Sequence, residues 1–145
     1  MKKQKKISIP LKIFKVDENG FHLSIKAKIN GIKSILIIDT GASRSVFDKK
    51  QIEKTFNTSS AEASEKLSTG IGNNQLKSET MVIDEIQLGD LKIKKYNAVL
   101  IDLSHVNEAY SQIGNKNIDG ILGSDIMKKY KAVISYPEKS IYFHF

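Results

Sequence analysis

Ile35-Leu36-Ile37-Ile38-Asp39-Thr40-Gly41-Ala42-Ser43 is the stretch on which the reading of this chain turns. Four consecutive apolar residues have the pattern of a strand covered on both faces. They deliver an acidic residue straight out of a core, where an unsatisfied charge is costly. The residues that follow offer a remedy. Gly41 permits a sharp turn with exposed amides, the amides of Gly41 and Ala42 can turn back on the carboxylate, and Thr40 supplies a hydroxyl to hold the loop. As a bare tripeptide, Asp-Thr-Gly is ordinary turn chemistry. The buried strand before it and the small residues after it make it a candidate catalytic loop.

Working outward, strand signals dominate. Phe21, Leu23, Ile25, Ala27 and Ile29 alternate with His22, Ser24, Lys26 and Lys28, the period-two pattern of a half-buried strand. Asn30-Gly31 predicts a tight hairpin into a strand over Ile32 to Ile38. Ile7 to Val16 reads as one earlier strand, turned by Glu18-Asn19-Gly20. Downstream, Asp48 can cap a short helix through Lys54. Residues 57 to 66 read as a loop, and Thr69 to Asn74 as a glycine-rich turn. Strands are expected over Met81 to Leu88 and Leu91 to Leu103, joined at Gly89-Asp90. A short helix is expected over Ser104 to Tyr110 and a short buried strand over Ile118 to Gly123. Ser124 can cap a helix through Tyr130, and a hairpin around Pro137-Glu138-Lys139 ends the chain. The expected fold is all-β, a closed or semi-closed barrel with one or two short helices.

The chain has 145 residues, a length suited to a single domain over 1–145, with residues 1–6 as a flexible basic tail. It has no cysteine, which excludes disulfides and thiolate metal sites. No signal-peptide run or membrane span is seen, so a soluble, cytoplasmic protein with no membrane partner is expected. The net charge of +7 comes from lysines spread along the chain and reads as a solvated surface. Nucleic-acid binding is the minor alternative, supported by charge alone. Gly70-Ile71-Gly72 lacks the third glycine and the following helix of a dinucleotide fingerprint. His22, His105 and His144 are scattered without metal-ligand spacing. No metal and no cofactor is expected.

The segment Leu36 to Ser43 resembles the active-site loop of retropepsin-like aspartic proteases. Two further features fall in that family's order: the turn Thr69-Gly70-Ile71-Gly72-Asn73, where the resemblance implies a substrate-covering flap, and Ile121-Leu122-Gly123 with its following helix, which resembles the family's closing motif. The resemblance spans roughly Phe21 to Phe145. It implies an acid-protease barrel and an aspartic endopeptidase. The retroviral members carry an acidic residue after Asp-Thr-Gly-Ala and an Arg after the late glycine. Ser43 and Ser124 stand there in this chain, which places it nearer the cellular and bacterial branch. Arg44 and Asp125 are a candidate substitute ion pair, against the plainer reading of two solvated charges.

The chemistry needs two carboxylates sharing one proton, and the chain has one Asp-Thr-Gly. Asp119-Gly120 lacks the intervening Thr or Ser and reads as a turn into the last core strand. A second copy of Asp39 is the simplest partner, in a homodimer acting on a peptide or protein substrate. The aromatic terminal strand Ser140 to Phe145, beside Ile7 to Phe14 of the partner, is the expected interface. The alternative function is a catalytically silent dimerisation or peptide-binding module of the same fold.

Overall fold

The fold is taken from a computed structural model in which residues 3–55 and 79–145 are described. The chain opens with β1 (Lys6–Pro10) and β2 (Lys12–Lys15), then β3 (Phe21–Ile29) and β4 (Ile32–Ile38). The Asn30-Gly31 hairpin joins β3 to β4 in the register Ile29↔Ile32, with φ of 49° and 81° at the two turn residues. That double positive φ is what the sequence pair is suited to adopt. Asn30 also anchors the turn, exchanging backbone and side-chain hydrogen bonds with Glu85.

After the Asp39 loop come β5 (Val46–Asp48) and α1 (Lys49–Thr55), whose Gln51 amide donates to the Asp48 carboxylate at 3.1 Å. The long hairpin β6 (Glu79–Leu88) and β7 (Leu91–Ile101) turns at Gly89-Asp90, with Gly89 at φ 59°. Then follow α2 (Ser104–Gln112), β8 (Gly120–Leu122), α3 (Ser124–Lys129), β9 (Val133–Ser135) and β10 (Ser140–His144). Among the described residues these three short helices fall where the sequence suggested them, in an otherwise β fold.

The strands β3-β4-β8-β5-β7-β6 form one sheet, and β6 pairs back onto β3 at Lys28↔Gln87 and Ile29↔Ile86. This closes a six-stranded barrel, with β2 attached outside on β3. Closure removes the exposed edges of an open sheet. β4 lies between β3 and a parallel β8. Leu36 and Ile38 pack in the main core, while Ile37 packs in a second cluster with Leu103, Tyr110 and Ile118. Burial on both faces is why this strand reads as a continuous apolar run.

Ile7 to Val16 is two strands. Leu11 is buried, and the chain passes from the small sheet β1-β10-β9 to the barrel there. Lys5 and Phe145 exchange backbone hydrogen bonds and β1 begins at Lys6, so Lys5 and Lys6 of the tail expected over 1–6 are paired. Pro10 does end an edge strand. The terminal strand departs from expectation. β10 pairs on one side with β1 (Lys6↔His144 to Pro10↔Ser140) and on the other with β9. Both of its hydrogen-bonding edges are taken within its own chain, and Ile141 and Phe143 are fully buried in the main core. It is not a free edge for a second subunit, because this chain's own N-terminal segment fills that place.

Candidate active site

β4 runs out of the core into Asp39, whose amide donates to the Leu122 carbonyl at 3.0 Å, continuing the pairing with β8. The chain then turns away. The Gly41 amide donates to Asp39 Oδ1 at 2.9 Å, as the sequence implied, but the Ala42 amide donates to the Asp39 carbonyl at 3.1 Å, closing a turn instead of facing the carboxylate. Asp39, Thr40, Gly41 and Ser43 are exposed and Ala42 is half-buried. Among the described residues the Thr40 hydroxyl makes no hydrogen bond within the chain, so it does not hold the loop from inside as expected.

Ile121, Leu122 and Gly123 lie directly behind this loop. The Ser124 amide donates to the Ala42 carbonyl at 2.8 Å. A Cβ on Gly123 would meet Ala42 O and the Arg44 carbonyl carbon at 2.8 Å, so the approach is backbone against backbone and only glycine permits it. Ser124 is the first residue of α3 and not its cap; Gly123 occupies the cap position. The turn Thr69-Gly70-Ile71-Gly72-Asn73 lies outside the described residues.

A cleft of about 560 Å³ opens at Asp39, mostly apolar in its walls. Ile37, Ile38 and Ile121 form one side. α2 forms the other, with His105, Val106, Ala109 and Tyr110, and His22 of β3 closes an end. The wall is fixed in place. Asn107 is buried and exchanges hydrogen bonds with the Ile118 backbone, at 2.7 and 3.2 Å. The Tyr110 hydroxyl and His22 Nδ1 share a hydrogen bond of 2.8 Å, and both rings meet Phe14 edge-on. Burial, and then the negative charge of Asp39, push the Tyr110 hydroxyl above its ordinary range. Two of the three histidines that look scattered in sequence, His22 and His105, therefore sit in the one cleft. No sequence signal marks this, since His22 and Tyr110 are 88 positions apart.

Among the described residues Asp39 is the only carboxylate lining that cleft. Asp48, Asp119 and Asp125 are occupied elsewhere. Asp48 accepts the Leu103 amide at 2.8 Å and caps α1. Asp119 accepts the Ile35 amide at 2.8 Å, pairing the entry of β8 to β4; its carboxyl is raised by burial and by the charge of Asp48. Asp125 accepts both the amide and the hydroxyl of Ser45, at 2.9 and 2.7 Å, and the Tyr96 hydroxyl at 2.5 Å. Arg44 instead donates to the Asn97 carbonyl at 3.1 Å. The Arg44–Asp125 ion pair does not form, and Asp125 is not a solvated surface charge either. Ser45 and Tyr96 were missed as site residues because nothing in sequence joins positions 45, 96 and 125.

A sequence model of the aspartyl protease family matches residues 25–126, from β3 through the closing motif to the first turn of α3. The chain belongs to the aspartyl protease family. Its fold is similar to the crystal structure of a retropepsin-like aspartic protease from Rickettsia conorii, at 17% identity, 99% of this chain and 93% of that chain covered, and a TM-score of 0.58. It is also similar to the retroviral protease-like domain of Ddi1 from Leishmania major, at 18% identity, 83% and 86% covered, and a TM-score of 0.57. No curated protein matches the sequence. The aspartyl protease fold of this chain is thus a retropepsin-like barrel. Among the described residues no helix is long and apolar enough to cross a membrane.

Proposed function

We propose that this chain is an aspartic endopeptidase that works as a homodimer, with Asp39 of each copy forming the catalytic pair. The observation that carries this reading is that, among the described residues, Asp39 is the only carboxylate lining an apolar cleft. Its carboxylate is exposed and, among the described residues, has one intrachain hydrogen bond, from Gly41, while Asp48, Asp119 and Asp125 are held by backbone amides and hydroxyls. A two-fold axis beside the loop supplies the missing partner symmetrically.

Two carboxylates at roughly 3 Å cannot both ionise and share one proton. The ionised Asp39 takes a proton from a water held between the pair. The water oxygen bonds to the scissile carbonyl carbon as the protonated Asp39 donates to the carbonyl oxygen. The tetrahedral diol collapses with proton transfer to the departing nitrogen, leaving an acid and an amine. The apolar cleft walls exclude bulk water and strengthen these interactions. Asn at position 39 keeps the shape but cannot act as the base. Incubation with a peptide library should give cleavage products with the wild-type protein and none with purified, folded Asp39→Asn. Equal cleavage by both proteins would reject the assignment.

A further inference from the structure

The Asp39 loop begins and ends on β8. Asp39 pairs with Leu122 at one end, and Val46 pairs with Ile121 at the other. Between these points the loop has few inward side chains, since Asp39, Thr40, Ser43 and Arg44 are all exposed. Ser45 is the exception and is fully buried. Its hydroxyl accepts the Gly123 amide at 2.8 Å and donates to Asp125 Oδ1 at 2.7 Å, while its amide donates to the same oxygen at 2.9 Å. The other oxygen of Asp125 takes the Tyr96 hydroxyl of β7, whose ring lies edge-on to the fully buried Phe47 at 6.1 Å.

We propose that Asp125 is a positioning residue for the catalytic loop: its carboxylate, through Ser45, holds Asp39 at the height and angle that two copies need to share a proton. This rests on the paired-Asp39 reading. One carboxylate ties three separate elements, the loop, the start of α3 and β7. The Ser45 donors are buried and need an acceptor, Tyr96 is half-buried, and hydrogen bonds to an ionised acceptor are the stronger kind. The Asp39 carboxylate has no comparable restraint of its own. Displacement of a reacting group by an ångström is enough to cost a large part of a rate. The loop is therefore set from behind, by an acid that never meets substrate.

The test compares Asp125→Ala, Asp125→Asn, Ser45→Ala and the Ser45→Ala/Asp125→Ala pair in the full chain. Asn at 125 keeps an acceptor for Ser45 and offers an amide to the Tyr96 oxygen, so it should restore most of the rate that Ala loses. Asp125→Ala is expected to lower kcat about a hundredfold with KM changed less than threefold, after correction for folded fraction. The double variant should be no worse than Asp125→Ala, because both remove one clamp. Amide hydrogen exchange is read in parallel. Gly41, Ser45 and Gly123 should exchange faster in Asp125→Ala, while the β6–β7 hairpin keeps its protection. A kcat loss that only tracks the unfolded fraction, or loop amides as slow as in wild type, would overturn the proposal. If no variant or wild-type protein cleaves peptide, the paired-Asp39 reading fails on that result, and the exchange data still decide whether Asp125 holds the loop.

Discussion

Asp39 and Asp125 leave the ends of two parallel, adjacent strands, β4 and β8, and their surroundings are opposite. After β4 the carboxylate is exposed, with one amide donor and an apolar cleft in front of it. After β8 the carboxylate is inward, with three donors from Ser45 and Tyr96. An acid whose lone pairs are already filled is suited to holding structure, and an acid whose lone pairs are free is suited to chemistry. The difference lies in the few residues after each strand. Gly41 turns the chain away from its acid, whereas the start of α3 turns Asp125 back onto the loop.

The largest effect should come from the exposed member. Asp39→Asn is expected to lose turnover by about a thousandfold or more while its thermal midpoint stays within a degree or two of wild type. Peptide cleavage and a melting curve check this together. A variant that loses stability instead would mean that Asp39, too, is structural.

Next comes the contact between the two regions. Gly123→Ala places a methyl 2.8 Å from Ala42 O, where backbone must give way. A loss of about 1–3 kcal/mol is expected by chemical denaturation, with a fall in activity. Unchanged stability would show that the two turns are not in contact in solution.

The pH dependence sharpens the comparison further. Burial alone would raise the Asp125 carboxyl, but the hydrogen bonds of Tyr96 and Ser45 outweigh it and hold the group below the ordinary range. Its stabilisation is whole above about pH 4 and is lost only as pH falls through the depressed folded value. Asp119 has the opposite sign. Raised chiefly by burial, it favours the fold below its unfolded value and loses that contribution as pH rises through the folded one. Denaturation at several acid pH values should therefore show a shallower acid decline for Asp125→Asn than for wild type, and a steeper one for Asp119→Asn. Identical slopes in all three would remove both assignments.

The smallest effect is expected at the cleft wall. Tyr110→Phe removes the His22 hydrogen bond while keeping the ring contacts with Phe14, and should cost about 0.5–1.5 kcal/mol of stability. A cost above that range would show that the pair holds more than α2.

Much of this was legible in sequence because local chemistry dictated it. Asn30-Gly31 requires positive φ, Gly89-Asp90 turns a hairpin, and Ile35 to Ile38 is apolar because both its faces are covered. What sequence did not reveal depends on distant partners. The barrel closes through Lys28↔Gln87, β1 and β2 separate at Leu11, and β10 is filled on both edges at home. At the site, Asp39 and its glycine were readable from one short motif. The Asp125 clamp was not, because Ser45, Tyr96 and Asp125 meet only once the barrel is closed.

The pairing of two Asp39 side chains is tested most directly by subunit mixing. Wild-type protein is held at a fixed concentration in the dimeric range, a ninefold excess of Asp39→Asn protein is added, and peptide cleavage is read after subunits have exchanged. If each site needs Asp39 from both copies, only about one-tenth of the activity should remain, since most wild-type subunits then face an Asn partner. Activity that stays at the wild-type level, with mixed dimers demonstrably formed, would contradict the paired site.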